Sequence, residues 1–153
     1  MSQLDERLAK LNLTVPESSP PLAAYVPATV TGNLVYTSGQ LPLVDGTLPA
    51  TGKVGAEVDA DAAYEYAKTC VLNGLAAAKG VIGSLDRITR VVKVVGFVAS
   101  DPSFTGQPGV INGASELLGE IFGEAGKHAR SAVGVAVLPL DAPVEIEFVF
   151  EFA

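Results

Sequence analysis

The chain has 153 residues, of which 48% are hydrophobic and 18% charged, enough apolar material for one buried core without disulfides. Ten basic residues against seventeen acidic ones give a net charge of −7, which opposes the phosphate-neutralising surface that nucleic-acid binding requires. One cysteine, one histidine and an amino terminus without a basic and apolar leader exclude an internal disulfide and a His/Cys metal cluster, and make the cytoplasm the expected compartment with no membrane passage.

Residues 1–21 differ in composition from the rest of the chain. Leu4, Leu8 and Leu11 fall at helical spacing before Pro16, Pro20 and Pro21 end the periodicity, so a short helix and a linker are expected ahead of one domain at 22–153. Tyr25–Val30 and Asn33–Ser38 are rich in strand formers and flank a Gly32-Asn33 turn, which predicts a hairpin. Leu41–Gly55 holds Pro42, Gly46, Pro49 and Gly52 and reads as an exposed loop. From Asp59 the period becomes helical, with Ala63, Ala67, Cys70, Gly74 and Ala78 on one small-residue face, Asp59 or Asp61 as cap and Gly80 as stop. Ile88–Val98 reads as a long, Val-rich central strand. A second helix carries Ile111, Ala114, Leu118, Ile121 and Phe122 on one stripe and stops at Gly123. Strands Ser131–Val137 and Val144–Phe152 close the chain around a turn at Pro139–Pro143. The predicted order is ββαβαββ, an α+β architecture with a mixed sheet, two helices packed on one face and the other face bare. A second copy of the chain is the expected cover for that bare face.

Standard chemical signatures are missing. GxGxxG, GxxxxGK[ST] and GxSxG do not occur, and no cofactor or metal is expected. Cys70, on an apolar helix stripe, reads as buried packing, and His128 as an exposed loop residue. Two segments remain. In the first, a strand runs into Ser38-Gly39-Gln40, where a glycine lets the backbone approach a ligand and a hydroxyl can donate to it. In the second, Arg130 opens a strand otherwise free of charge, and its planar fork of donors suits a carboxylate. Glu145 comes next, across the Pro139–Pro143 turn. In an antiparallel pairing it comes near Arg130, and otherwise it faces Arg130 across a subunit junction; a structural ion pair is the competing reading. Glu147 and Glu151 share the face of Glu145 and read as solvated or contact-lining carboxylates.

Gly32-Asn33-Leu34-Val35-Tyr36-Thr37-Ser38-Gly39-Gln40-Leu41-Pro42, taken with Ala129-Arg130-Ser131-Ala132-Val133, Leu138-Pro139 and Val144-Glu145-Ile146-Glu147, resembles the RidA/YjgF family of enamine/imine deaminases, also labelled endoribonuclease L-PSP. The likeness runs from about Tyr25 to the C-terminus. It implies a chorismate-mutase-like fold, a homotrimer with clefts between subunits, and hydrolysis of 2-iminoacids or their enamine tautomers to 2-ketoacids and ammonia. By the same resemblance Arg130 binds the substrate carboxylate, Glu145 holds the attacking water, and Tyr25, Ser38, Gly39 and Asn112 line the pocket. The sequence departs from the family pattern at Ala132, where a cysteine is common, at His128-Ala129, and in the extension to Pro21. A trimeric protein that binds a small carboxylate without turnover is the alternative reading, and the ribonuclease label is opposed by the charge.

Overall fold

The strict alternation of the last segment decides the layering. In the strand Val144–Phe152 (β5), Val144, Ile146, Phe148 and Phe150 are buried, whereas Glu145, Glu147, Val149 and Glu151 are only half-buried on the opposite side. A computed structural model of the chain, describing residues 2–18 and 23–153, places this strand at the centre of a five-stranded mixed sheet. The strand order is β1-β2-β5-β3-β4, where β1 is Ala28–Thr31, β2 Leu34–Thr37, β3 Ile88–Ala99 and β4 Ala129–Val135. Helices α2 (Ala60–Ile82) and α3 (Gln107–Phe122) cover the face that carries Phe148 and Phe150, and among the described residues the opposite face carries no helix. No helix of the described residues is long and apolar enough to cross a membrane.

The hairpin forms about Gly32, whose φ of 56° fills the first central position of a two-residue turn. Its first strand begins at Ala28, later than expected. Pro27 has no N–H to donate, and only its carbonyl joins the pairing, accepting from Ser38 N–H at 2.7 Å. The segment Leu41–Gly55 is exposed only in part. Val54 is fully buried, and the Asn73 side chain on α2 donates to the Leu41 and Leu43 carbonyls at 2.9 and 3.0 Å.

Asp59 caps α2 by accepting from Ala62 N–H. The helix runs through the expected stop at Gly80 because Ile82 still reaches the core. It ends at Gly83 instead, with φ 87° and an N–H donated to the Lys79 carbonyl. Its small face allows two close approaches. A Cβ at Gly74 would sit 2.5 Å from the Phe148 ring, and one at Gly113 on α3 would run into the Tyr64 carbonyl of α2.

β3 is an interior strand, as expected, paired on one side with β5 and on the other with β4. The arrangement of the last two strands differs from an antiparallel pairing. β4 lies parallel to β3 at the sheet edge and makes no ladder with β5, because the crossover through α3 returns the chain in the direction of β3.

The expected N-terminal helix is α1 (Gln3–Lys10), opened by a reciprocal capping box between Ser2 and Asp5. Leu4 and Leu8 enter the main core, and the Asp86 carboxylate accepts from the Gln3 and Leu4 N–H groups at 3.0 and 2.9 Å. The expected boundary at residues 21–22 lies outside the described residues.

The helix–helix contact at Gly113 is backbone against backbone, so it cannot relax by a rotamer change. Gly113→Ala should lower stability by about 1–3 kcal/mol in urea unfolding despite alanine's better helix propensity. An unchanged unfolding midpoint would contradict the close approach.

Candidate active site

Arg130 is the second residue of the edge strand β4 and is half-buried. It pairs with Val94, which in turn pairs with Phe148, so its side chain points to the helix-covered face. There the guanidinium meets α3: Nη1 donates to Ser115 Oγ at 3.1 Å and Nη2 to the Pro108 carbonyl at 3.3 Å. Pro108, Asn112 and Ser115 stand one above another along α3, which puts Asn112 on the stripe that faces Arg130. Among the described residues no carboxylate forms an ion pair with Arg130. Its positive charge is held by neutral oxygens and left uncompensated.

His128 is not the exposed loop residue expected from the sequence. It is half-buried, with Nε2 2.9 Å from Ser115 Oγ and Nδ1 2.6 Å from the Gly126 carbonyl. Ser115 is a site residue that the sequence does not mark. Its only signal there is its position one turn beyond Asn112 on the helix stripe.

A second cluster gathers around Glu145. The residue is half-buried between Gly39 and the open sheet face, and a side chain on Gly39 would run into its carboxylate. Gln40 holds this approach in register through reciprocal backbone bonds with Ile146, at 2.8 and 3.0 Å. Ser38 Oγ donates to the Val26 carbonyl at 2.7 Å, fixing the turn beside Tyr25, which is 59% exposed. Tyr25, Ser38, Gly39 and Glu145 therefore share one region. Desolvation raises the pKa of Glu145 above the ordinary carboxylate value, and the like charge of Glu147 adds to the shift. Glu147, expected only as a solvated or contact-lining carboxylate, thus acts electrostatically on its neighbour. Glu151 is occupied at the far end of the strand by Arg90 at 3.4 Å and Thr89 at 2.6 Å.

The two clusters do not meet within one chain. Glu145 pairs with Phe97, and Phe97 with Val133, which lies three residues along β4 from Arg130. An odd offset reverses the face, so Arg130 and Glu145 point to opposite sides of the sheet, about 14 Å apart at their Cα atoms from strand spacing and rise. The antiparallel proximity of the two residues, and the intramolecular ion pair, are both corrected by this register. Among the described residues, a cleft of about 190 Å³ lies beneath α1 and another of about 190 Å³ between Tyr36, Lys93 and Glu147, and neither contains Arg130 or Glu145. Cys70 is fully buried, as expected, and burial pushes its thiol pKa far up, which removes it as a nucleophile.

The family model described as "YjgF/chorismate mutase-like, putative endoribonuclease" matches residues 5–153. The chain belongs to this family. Protein TCP17 of Trypanosoma cruzi is 41% identical over 145 residues, 94% of this chain and 91% of that protein. The crystal structure of Atu1372 from Agrobacterium tumefaciens superposes with a TM-score of 0.92 at 47% identity, covering 98% of this chain and 92% of that one. A "putative endoribonuclease" from Shewanella oneidensis gives a TM-score of 0.93 at 32% identity, covering 99% of this chain and 100% of that one. The α+β mixed sheet is thus the fold of the YjgF family, and the N-terminal helix from residue 5 falls within the family match.

The raised pKa of Glu145 has a thermodynamic consequence. Below the ordinary value of 4.5 the side chain is protonated in folded and unfolded chains alike, and no penalty arises. Above the raised folded value the folded chain carries the full cost of a poorly solvated charge. Glu145→Gln should therefore melt higher than the parent at neutral pH, with the advantage shrinking as pH falls toward 4.5. Thermal melts at a series of pH values check this, and a difference independent of pH would contradict it.

Proposed function

We propose that this YjgF-family protein hydrolyses small 2-iminoacids, or their enamine tautomers, to 2-ketoacids and ammonia at a site built from two chains of a homotrimer. The observation that carries the reading is the uncompensated guanidinium of Arg130. Two of its five N–H donors are anchored to Ser115 and Pro108, which leaves three for a ligand. A small carboxylate satisfies both that charge and that geometry, as a bidentate partner of the fork.

The reaction needs little more. The imine carbon is already electrophilic, so the requirements are an oriented substrate and a positioned water. Glu145 supplies the second. Its carboxylate has no hydrogen-bond partner among the described residues, and its raised pKa makes it a better base than an ordinary glutamate. Water adds to the imine carbon as Glu145 takes one of its protons and passes it to the nitrogen, giving a carbinolamine; Glu145 then carries the hydroxyl proton to the amine, and the C–N bond breaks to expel ammonia and leave the ketone. Ser38 and the Gly39 backbone line the Glu145 side of the pocket, with Tyr25 at its rim, and Asn112 lies beside Arg130.

Because the two halves lie on opposite faces of one sheet, a neighbouring chain has to bring its Glu145 region to the Arg130 edge. The open sheet face, with Tyr36 and Val133 exposed on it, offers the surface for that contact. Deaminase chemistry agrees with the net charge of −7 better than RNA cleavage does.

Ammonia release from a freshly generated 2-iminoacid tests the activity. Arg130→Ala should lower kcat/KM by about 100-fold or more, since two charge-assisted bonds to the substrate are lost. Glu145→Gln should act mainly on kcat, by about 100-fold. A parent protein that releases no ammonia above the spontaneous rate, yet is stabilised against heat by small carboxylates, would establish binding without turnover.

A further inference from the structure

We infer that Ser115 and His128 are positioning residues which set the orientation of the Arg130 fork, so that in this chain the carboxylate clamp is a unit of three residues. The inference rests on the reading of Arg130 as that clamp.

The hydrogen-bond directions are set by one fixed acceptor. A carbonyl can only accept, so the 2.6 Å contact with the Gly126 oxygen places a proton on His128 Nδ1. In the neutral ring Nε2 is then an acceptor, and among the described residues its donor is the Ser115 hydroxyl at 2.9 Å. With its proton committed to His128, the Ser115 oxygen turns its lone pairs outward, and Arg130 Nη1 donates to it at 3.1 Å. Each bond fixes the sense of the next. A Ser115 hydroxyl without His128 would be free to rotate its own proton toward the guanidinium.

The other end of this relay is rigid. A Cβ at Gly126 would run into the Leu118 carbonyl, so Gly126 is packed against the same helix that carries Ser115. The path therefore leaves α3 at Ser115, passes through His128 and Gly126, and returns to α3 at Leu118. The Pro108 carbonyl holds Nη2 from the same helix, two turns away from Ser115. Two anchors on separate nitrogens define the plane of the guanidinium, and a single anchor would leave it free to swing.

The test measures binding of 2-ketobutanoate, a carboxylate of the product class, by thermal shift, together with KM and kcat for the corresponding iminoacid. Ser115→Ala and His128→Leu should each weaken binding and raise KM by about three- to tenfold, with kcat changing less. His128→Gln, whose amide oxygen can still accept from Ser115, should recover most of the loss. In an Arg130→Ala background Ser115→Ala should add nothing. Parent-like binding by both Ser115→Ala and His128→Leu, an equal loss in the Arg130→Ala background, or no recovery by His128→Gln would overturn the inference while leaving the clamp in place. Arg130→Ala that binds 2-ketobutanoate as the parent does would overturn the clamp reading itself, and the inference with it.

Discussion

The insertion of β5 between β2 and β3 governs the rest of the structure. It puts the Phe-rich side of β5 under both helices, and it forces β4 to the outer edge of β3 as a parallel strand. Register then does the remaining work. Arg130 lies in the row of Val94 and Phe148 and is turned toward α3, while Glu145 lies in the row of Phe97 and Val133 and is turned away. A shift of one residue in either ladder would exchange those faces and move the hydrophobic core to solvent, so the core itself enforces the separation of the two groups.

That separation leaves each group electrostatically unsatisfied in a different way. Arg130 is tied down by a hydroxyl and a carbonyl, which orient it without neutralising it. Glu145 is partly desolvated, crowded by Glu147 and pressed against the Gly39 backbone. Neither arrangement stabilises the isolated chain as a salt bridge between them would. Local conflicts of this sort gather where a ligand or a neighbouring chain completes the environment, and here they fall on the two residues that the proposed imine hydrolysis would use.

Much of the fold is legible in the sequence because it is written in periodicity. The alternation of β5, the Val-rich run of β3 and the small-residue face of α2 each state an element and its buried side, and the motifs around Ser38-Gly39 and Arg130 mark the family that the whole-chain match confirms. The failures come where the deciding contact is distant in sequence. Gly80 looks like a helix stop, but burial of Ile82 carries α2 onward to Gly83. A turn between their strands suggests that Arg130 and Glu145 are close, whereas the crossover through α3 puts those strands on opposite sides of β3. His128 looks isolated because its partners, Ser115 and the Gly126 carbonyl, are meaningful only once α3 and β4 are packed together. A lone serine on a helix carries no motif, and its place one turn beyond Asn112 gains meaning only once Arg130 is packed against it.

The central claim is that one chain holds only half of the chemistry at each end and that catalysis needs two. Mixed assemblies test it most directly. Arg130→Ala and Glu145→Gln chains, each inactive alone, are carried on different affinity tags, co-expressed and purified through both tags, and ammonia release from a 2-iminoacid is measured. If the site spans two chains of a trimer, every assembly holding both variants has one cleft with an intact Arg130 and an intact Glu145, and about a third of the parent activity returns. Doubly tagged assemblies that remain as inactive as either parent variant would contradict the account.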